Sequence, residues 1–299
     1  AGATGMTRPP FIDTHVHFWD LGRPELRYSF LEPDAVHPVM GDIDEIKFPL
    51  YGAEQFLAET AGAGVQQIVH VQAALGIEDP VDETLWLEAQ ARRTGVPAAI
   101  VAHVDLRADD VAAQLERHRS ASARVRGVRD FAEGDYLVDP AFARGFAALG
   151  ANRLVCDLDC VWEDMGKARD LADRHPETTV VLDHAGFPRE RTPEYFDNWK
   201  RGLETLAGAE SVVCKISGLG MCDNHWTVES IRPWFEACLD AFGVPRCVLG
   251  TNWPIDRMFS DYETVVDAYW QIVSELSRDE QVALFRGNAE RVFNLRPEA

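Results

Sequence analysis

Apolar, β-branched residues gather in short runs that recur eight times along the chain: "PFIDTHVHF", "QQIVHVQAA", "PAAIVAHVDL", "RVRGVRDF", "RLVCDLDC", "TTVVLDHAG", "SVVCKISGL" and "RCVLGTNWP". Most are separated by stretches of helical period, such as Glu54 to Ala63, Asp82 to Thr94, Lys167 to His175, Tyr195 to Leu206 and Val228 to Phe242. Near-continuous apolar strands alternating with helices imply a parallel sheet covered on its outside. Eight such units in a chain of 299 residues predict an α/β fold, a closed (β/α)8 TIM barrel. A doubly wound open sheet would more often carry a Gly-rich turn after the first strand, and none is present. One connection breaks the pattern. Leu21 to Tyr51 holds four prolines and no clear helical period. A long irregular loop in a compact domain is usually functional, and this one follows the first strand, so it is expected over the catalytic mouth. The tail "EQVALFRGNAERVFNL" reads as one or two closing helices.

Composition narrows the class without changing the fold. The chain is 46% hydrophobic and 26% charged, the balance of a soluble globular protein. "AGATG" at 1–5 precedes Met6 and reads as a cloning remnant, leaving 6–299 as one domain. No apolar run approaches the ~20 residues that span a bilayer. A net charge of −20, spread along the sequence, repels phosphate backbones and anionic membranes. The expected partner is therefore a small-molecule substrate, with neither nucleic acid nor membrane; a homo-oligomer stays open. The six cysteines show no CxxC spacing and several sit in apolar runs, which points to buried reduced thiols and a cytoplasmic protein.

In a barrel of this type, reactive groups stand at the C-terminal ends of strands. Side chains alternate with period two, so Asp13, His15 and His17 are expected on one face. The second run ends in Gln72 and the third carries His103 and Asp105. The fourth offers Arg126 and Arg129, which are three apart, so only one can point inward. The fifth offers Asp157 and Asp159, the sixth Asp183 and His184, and the seventh Lys215 and Ser217. In the eighth, Val248, Gly250 and Asn252 alternate onto one face, which should bring Asn252 into the pocket. Bland readings compete. His70, His103 and His225 fit hydrogen-bonded core or loop positions, Asp183 a loop cap, and the arginines pairs with acids on outer helices. His15 with His17 is harder to explain that way, because two imidazoles opening a barrel need polar partners that a packed core lacks.

Taken in order, "DTHVHFWD", "RVRGVRDF", "VLDHAG", "KISGL", "FGVPRCVLGTNWPID" and "GNAERVF" cover most of the chain. Together they resemble the amidohydrolase superfamily, in the branch of fuconolactonase-like sugar lactonases and pyrone-dicarboxylate lactonases. The resemblance implies a (β/α)8 barrel that hydrolyses a small sugar-derived or carboxylated lactone, or a similar ester or amide. It also implies that His15, His17 and His184 stand where metal-bearing members hold one divalent ion such as Zn²⁺. Because some lactonases of the branch work without metal, a metal-binding and a metal-free site remain about equally open. Arg129 matches the family's arginine. Either it or Arg126 would hold a substrate carboxylate, with Gln72, Trp19, Trp162 and Trp253 shaping the pocket. Two positions depart from the pattern. The fifth strand has Asp157 and Asp159 where metal-bearing members have histidine, and Asn252 stands where the family usually has Asp. A neutral amide is a poor metal ligand and cannot act as a general base. A carboxylate is then expected from elsewhere, Asp256 first and Asp157 second. Two other readings follow: a metal-dependent decarboxylase of an aromatic or unsaturated acid, weakened by the missing histidine, and a binding barrel without catalysis, which Asn252 favours.

Overall fold

The computed structural model describes residues 6–295, so the remnant reading of 1–5 falls outside the described residues. Each apolar run contributes one strand: β1 (Phe11–Val16), β2 (Val65–Val71), β3 (Ala99–Ala102), β4 (Val125–Arg129), β5 (Val155–Leu158), β6 (Val180–Leu182), β7 (Val212–Ile216) and β8 (Cys247–Leu249). They pair in sequence order and in parallel from β1 to β8. The intervening helices are α1 (Ala53–Glu59), α2 (Val81–Thr94), α3 (Val111–Ala121), α4 (Pro140–Ala151), α5 (Met165–Arg174), α6 (Pro193–Ala207), α7 (Val228–Phe242) and α8 (Tyr262–Ile272). The result is a nearly closed (β/α)8 barrel. Its seam lies between β8 and β1, joined by a parallel bridge of Val16 to Trp253, with the His17 amide donating to the Trp253 carbonyl (2.8 Å) and Thr14 Oγ1 to that of Leu249 (2.8 Å).

The interior is layered. Ile12, Val69, Val71, Ala99, Val101, Val155, Val181, Val213 and Val248 fill the lower barrel, closed from beneath by Ala289 and Phe293. Those two belong to the expected C-terminal helical tail, which forms short helices at Arg278–Val282 and Asn288–Val292 around a π-helical turn. Above the apolar layer the same strands deliver His15, Asp157, Asp183 and Lys215, all fully or almost fully buried. Small residues make room in both layers. A Cβ on Gly250 of β8's C-terminal end would lie 2.8 Å from that of His15, and one on Gly127 would lie 2.5 Å from Val155.

One expectation of shared facing is corrected. Asp13 does not look into the barrel with His15 and His17. Between Asp13 and Val16 the β1–β2 register shifts, Thr14 and His15 opposing the single residue Val69 between Ile68 and His70, which is a bulge. The bulge breaks the alternation, so Asp13 turns outward and takes bonds from the Thr251 amide (2.9 Å) and the hydroxyls of Thr251 and Tyr262 of α8.

The segment Leu21 to Tyr51 folds over the C-terminal end of the barrel. Its base is a short antiparallel pair, Trp19–Asp20 with Leu50–Tyr51. Its body has two 3-10 turns and is tied down by Lys47, whose ammonium donates to the Ala35 carbonyl (2.8 Å) and pairs with Asp44.

Candidate active site

A cavity of about 510 Å³ opens at the C-terminal end of the strands, under the long loop. Its polar floor includes His17, Gln72, Arg129, Asp159, His184 and Asn252. Its walls are mainly apolar. Phe30, Val39 and Met40 descend from the loop, and Phe131, Phe187, Met221 and Ile255 rise from the βα connections.

Beneath the floor lies a buried ionic cluster. The Lys215 ammonium donates to Asp157 Oδ2 (2.7 Å), stands 3.2 Å from His15 Nδ1 and pairs with Asp183 Oδ1 at 3.3 Å. Arg129 caps the cluster from above, 3.6 Å from Asp183 and 3.9 Å from Asp159. Its Nε and Nη2 donate to the side chain and backbone oxygens of Gln72 (2.9 and 3.0 Å), and Phe131 covers its face at 4.2 Å. These charges set the protonation states. Burial pushes Asp157 well up, reinforced by Asp183. Burial also acts on Asp183, but Lys215 and Arg129 outweigh it and hold that carboxyl below its usual range. Burial would discharge Lys215, yet Asp157 and Asp183 keep it cationic.

The three histidines expected at the mouth come close together, but only His17 and His184 line the cavity and His15 lies beneath its floor. His15 and His17 face each other through their Nε2 atoms at 3.1 Å, and the His15 and His184 rings are 4.4 Å apart. Burial lowers all three, His184 to about 3, so each is neutral near pH 7. A consistent proton assignment follows: His17 Nδ1–H donates to the Val71 carbonyl (2.8 Å), His15 Nε2–H to His17 Nε2, and Lys215 to His15 Nδ1. His184 pairs through Nδ1 with Ser217 Oγ at 2.8 Å, leaving Nε2 for the cavity. His184 (φ 53°) and Asn252 (φ 60°) both hold the left-handed conformation, as do Ala185 and Phe187. Non-glycine residues accept this only where surroundings enforce it, at ~1–3 kcal/mol each. Trp199, whose Nε1 donates to the Ala185 carbonyl (2.7 Å), is one such constraint.

Other expected positions land elsewhere. Arg126 is near the N-terminal end of β4, where its guanidinium donates to the Ala123 and Asn294 carbonyls, far from the mouth by alternation and strand direction. Trp19 and Trp253 are fully buried behind the wall, their indoles bonded to Phe48 (2.9 Å) and Glu59 (2.7 Å); neither lines the cavity, nor does Trp162. Asp157 stays in the layer below with Lys215. Asp256 sits in a 3-10 turn behind Asn252, whose Nδ2 donates to it (2.8 Å), and does not line the cavity. Burial pushes Asp256 up to about 7, against the opposing bond from Asn252. Of the carboxylates of the fifth run, the one that lines the cavity is Asp159, two residues past Asp157 on the same face. Its side chain is 32% exposed, its Oδ2 has no hydrogen-bond partner, and burial pushes it up to about 6 against Arg129. Period-two alternation was the signal for it. Lys215 was visible only as a lone cation inside the apolar run "VVCKI".

His15, Asp157 and Asp183 bring three ligand atoms within 4.8 Å of one another, a spacing compatible with a metal ion. As the side chains stand, that space already holds the Lys215 ammonium, and the lone pairs of His15 and His17 are engaged. The arrangement does not fit a divalent ion without displacing Lys215.

Known proteins share this architecture and much of the sequence. The family described as amidohydrolase matches residues 12–295. A Sinorhizobium fredii protein designated y4mH is 35% identical, the match covering 97% of this chain and 100% of the relative. An L-fucono-1,5-lactonase of Burkholderia multivorans is 32% identical, covering 95% and 96%. A crystal structure of a Burkholderia multivorans amidohydrolase with bound zinc superposes with a TM-score of 0.82 at 30% identity, covering 96% of this chain and 99% of that one.

Proposed function

This chain belongs to the amidohydrolase family and is a hydrolase, and from that premise we propose that it opens a small neutral lactone of the sugar-derived type, with Asp159 as the base that activates water. The lactonase names of similar proteins support the reaction class. The lining supports a neutral substrate: Asp130, Asp159 and Asp164 face the cavity against a single arginine, and that arginine is already engaged by Gln72 and the acids. A carboxylated lactone would meet uncompensated negative charge there. Apolar walls fit a ring that presents a deoxy or alkyl face.

In the proposed reaction, water on the floor loses a proton to Asp159 as its oxygen bonds to the ring carbonyl carbon. The carbonyl oxygen takes up negative charge and is met by two donors. One is Nε2–H of neutral His184, assigned if the Ser217 hydroxyl donates to Nδ1. The other is the second Asn252 amide proton, which here points at Met221 Sδ (3.4 Å), a weak acceptor that a carbonyl oxygen would replace. Preorganised donors of this kind in a dry site supply a large share of such catalysis. The tetrahedral centre then collapses, the ring C–O bond breaks, and the leaving oxygen recovers the proton from Asp159. Asn252 thereby acts as a donor at the position where the family usually has Asp, and Asp256 holds it in place.

The observation that carries this reading is a carboxylate, Asp159, that lines the same cavity as the neutral imidazole of His184, with its Oδ2 held only by Arg129 at 3.9 Å. Acid release from a panel of neutral and carboxylated lactones tests the substrate class. Asp159→Asn should lower turnover by ~10²–10⁴, the range for loss of a general base, with KM little changed. Full turnover in that variant on an active lactone would exclude Asp159 as the base.

A further inference from the structure

We propose that Lys215 is a built-in cation: its ammonium takes the place, among His15, Asp157 and Asp183, that a divalent ion would take, so that the ionic layer under the floor is complete without metal. The geometry is direct. Lys215 Nζ is 3.2 Å from His15 Nδ1, 2.7 Å from Asp157 Oδ2 and 3.3 Å from Asp183 Oδ1. These are the same three residues whose donor atoms cluster as a metal group would. The ammonium is fully buried, and the aromatic face of Phe293 lies beneath it at 5.8 Å. Two carboxylates buried this deeply need positive charge close by, and an isolated pair of them without a cation would be strongly unfavourable.

The same ammonium also fixes the histidine pair. With Lys215 donating to His15 Nδ1, the proton of His15 lies on Nε2 and is donated to His17, whose other nitrogen donates to the Val71 carbonyl. Each imidazole nitrogen of the pair then has a partner. A metal ion approaching either histidine would have to break this chain and would meet a fixed positive charge about one side chain's width away. This assignment goes beyond lactone hydrolysis and is read out by metal binding, so it stands or falls separately from the base assigned to Asp159.

The test is zinc uptake by chelator-treated protein, measured by equilibrium dialysis with elemental analysis and by thermal unfolding with and without Zn²⁺. The wild type is expected to take up no stoichiometric buried zinc and to show no rise in Tm. Lys215→Met keeps the aliphatic stem but removes the charge, and is expected to take up one zinc per chain with a rise in Tm. Adding Asp157→Asn to that variant should abolish the uptake, which separates the buried cluster from surface imidazoles. One zinc per wild-type chain, lost in Asp157→Asn, would overturn the proposal. So would a folded Lys215→Met that takes up none, because the cluster would then not be a cation site. If Lys215→Met does not fold, wild-type crystals grown with zinc decide: an anomalous peak among the three residues overturns the assignment, and ammonium density there sustains it.

Discussion

Arg129 illustrates how one side chain links packing, charge and protonation. It sits over Asp183 and Asp159 and is itself held by Gln72 and Phe131. Arg129→Met leaves buried Asp183 and partly exposed Asp159 short of a counter-charge, so unfolding free energy should fall by roughly 3–5 kcal/mol, as when one partner of a buried pair is removed. Chemical denaturation checks this; a loss under 1 kcal/mol, on the scale of a surface pair, would mean that the acids are compensated elsewhere. The activity profile gives a second readout. Asp159 titrates at about 6, and the base must be ionised, so kcat/KM is expected to rise as pH increases through about 6. Arg129 opposes the upward push on Asp159, so its removal should move that limb to higher pH. A limb that stays in place while turnover survives would detach the profile from Asp159.

At the scale of an element, the turn Ile255–Met258 after β8 carries a pH dependence of its own. Asp256 is held at about 7 in the folded state, above its ordinary value of 3.8. The folded state therefore binds this proton more tightly than the unfolded chain. The contribution is fully present below about pH 4 and is lost as pH rises through about 7. Asp256→Asn keeps an oxygen for Asn252 and removes the ionisation, so stability should fall less between pH 5 and pH 8 than in the wild type, by on the order of 2–4 kcal/mol. Equal slopes in the two proteins would contradict it. The end of β8 adds a packing constraint. Gly250→Ala would put a methyl group 2.8 Å from His15 Cβ, and the backbone there has no room to yield. His15 should be displaced and the Lys215 contact disturbed, at a cost of ~1–3 kcal/mol for overpacking; an unshifted Tm would show that the seam relaxes freely.

For the whole molecule, the weak place is the seam. Seven neighbouring strand pairs form ladders, whereas β8 meets β1 through one bridge and a few side-chain bonds around Asp13 and Thr251. Amide exchange should therefore open first at β1 and β8 among the barrel strands, since local opening follows the density of protected bonds. Tyr262→Phe, which removes one bond to the buried Asp13, should accelerate it further. Uniform protection around the barrel would argue for a tighter closure. The wider surface is acidic, and among the described residues no helix is long and apolar enough to cross a membrane. The described cysteines carry no disulfide, and five of the six are buried.

The eight strands were legible because each lies in a short run rich in apolar, β-branched residues, a pattern that local sequence carries without knowledge of its neighbours. The position of the long loop over the mouth followed from its place after β1, since βα connections of a barrel all emerge at one end. The convergence of His15, His17 and His184 could likewise be anticipated from strand ends and family resemblance. The facing of Asp13 could not, because a bulge in β1 depends on its register with β2. Alternation put Asp157 and Asp159 on one face, but only the fold decides that Asp159 lines the cavity while Asp157 lies a layer below with Lys215 and Asp256 lies behind Asn252. Lys215 was the most hidden. Its sequence showed only a charge in an apolar run; the reason for it lies in two acids from β5 and β6 and a histidine from β1, brought together only when the barrel closes.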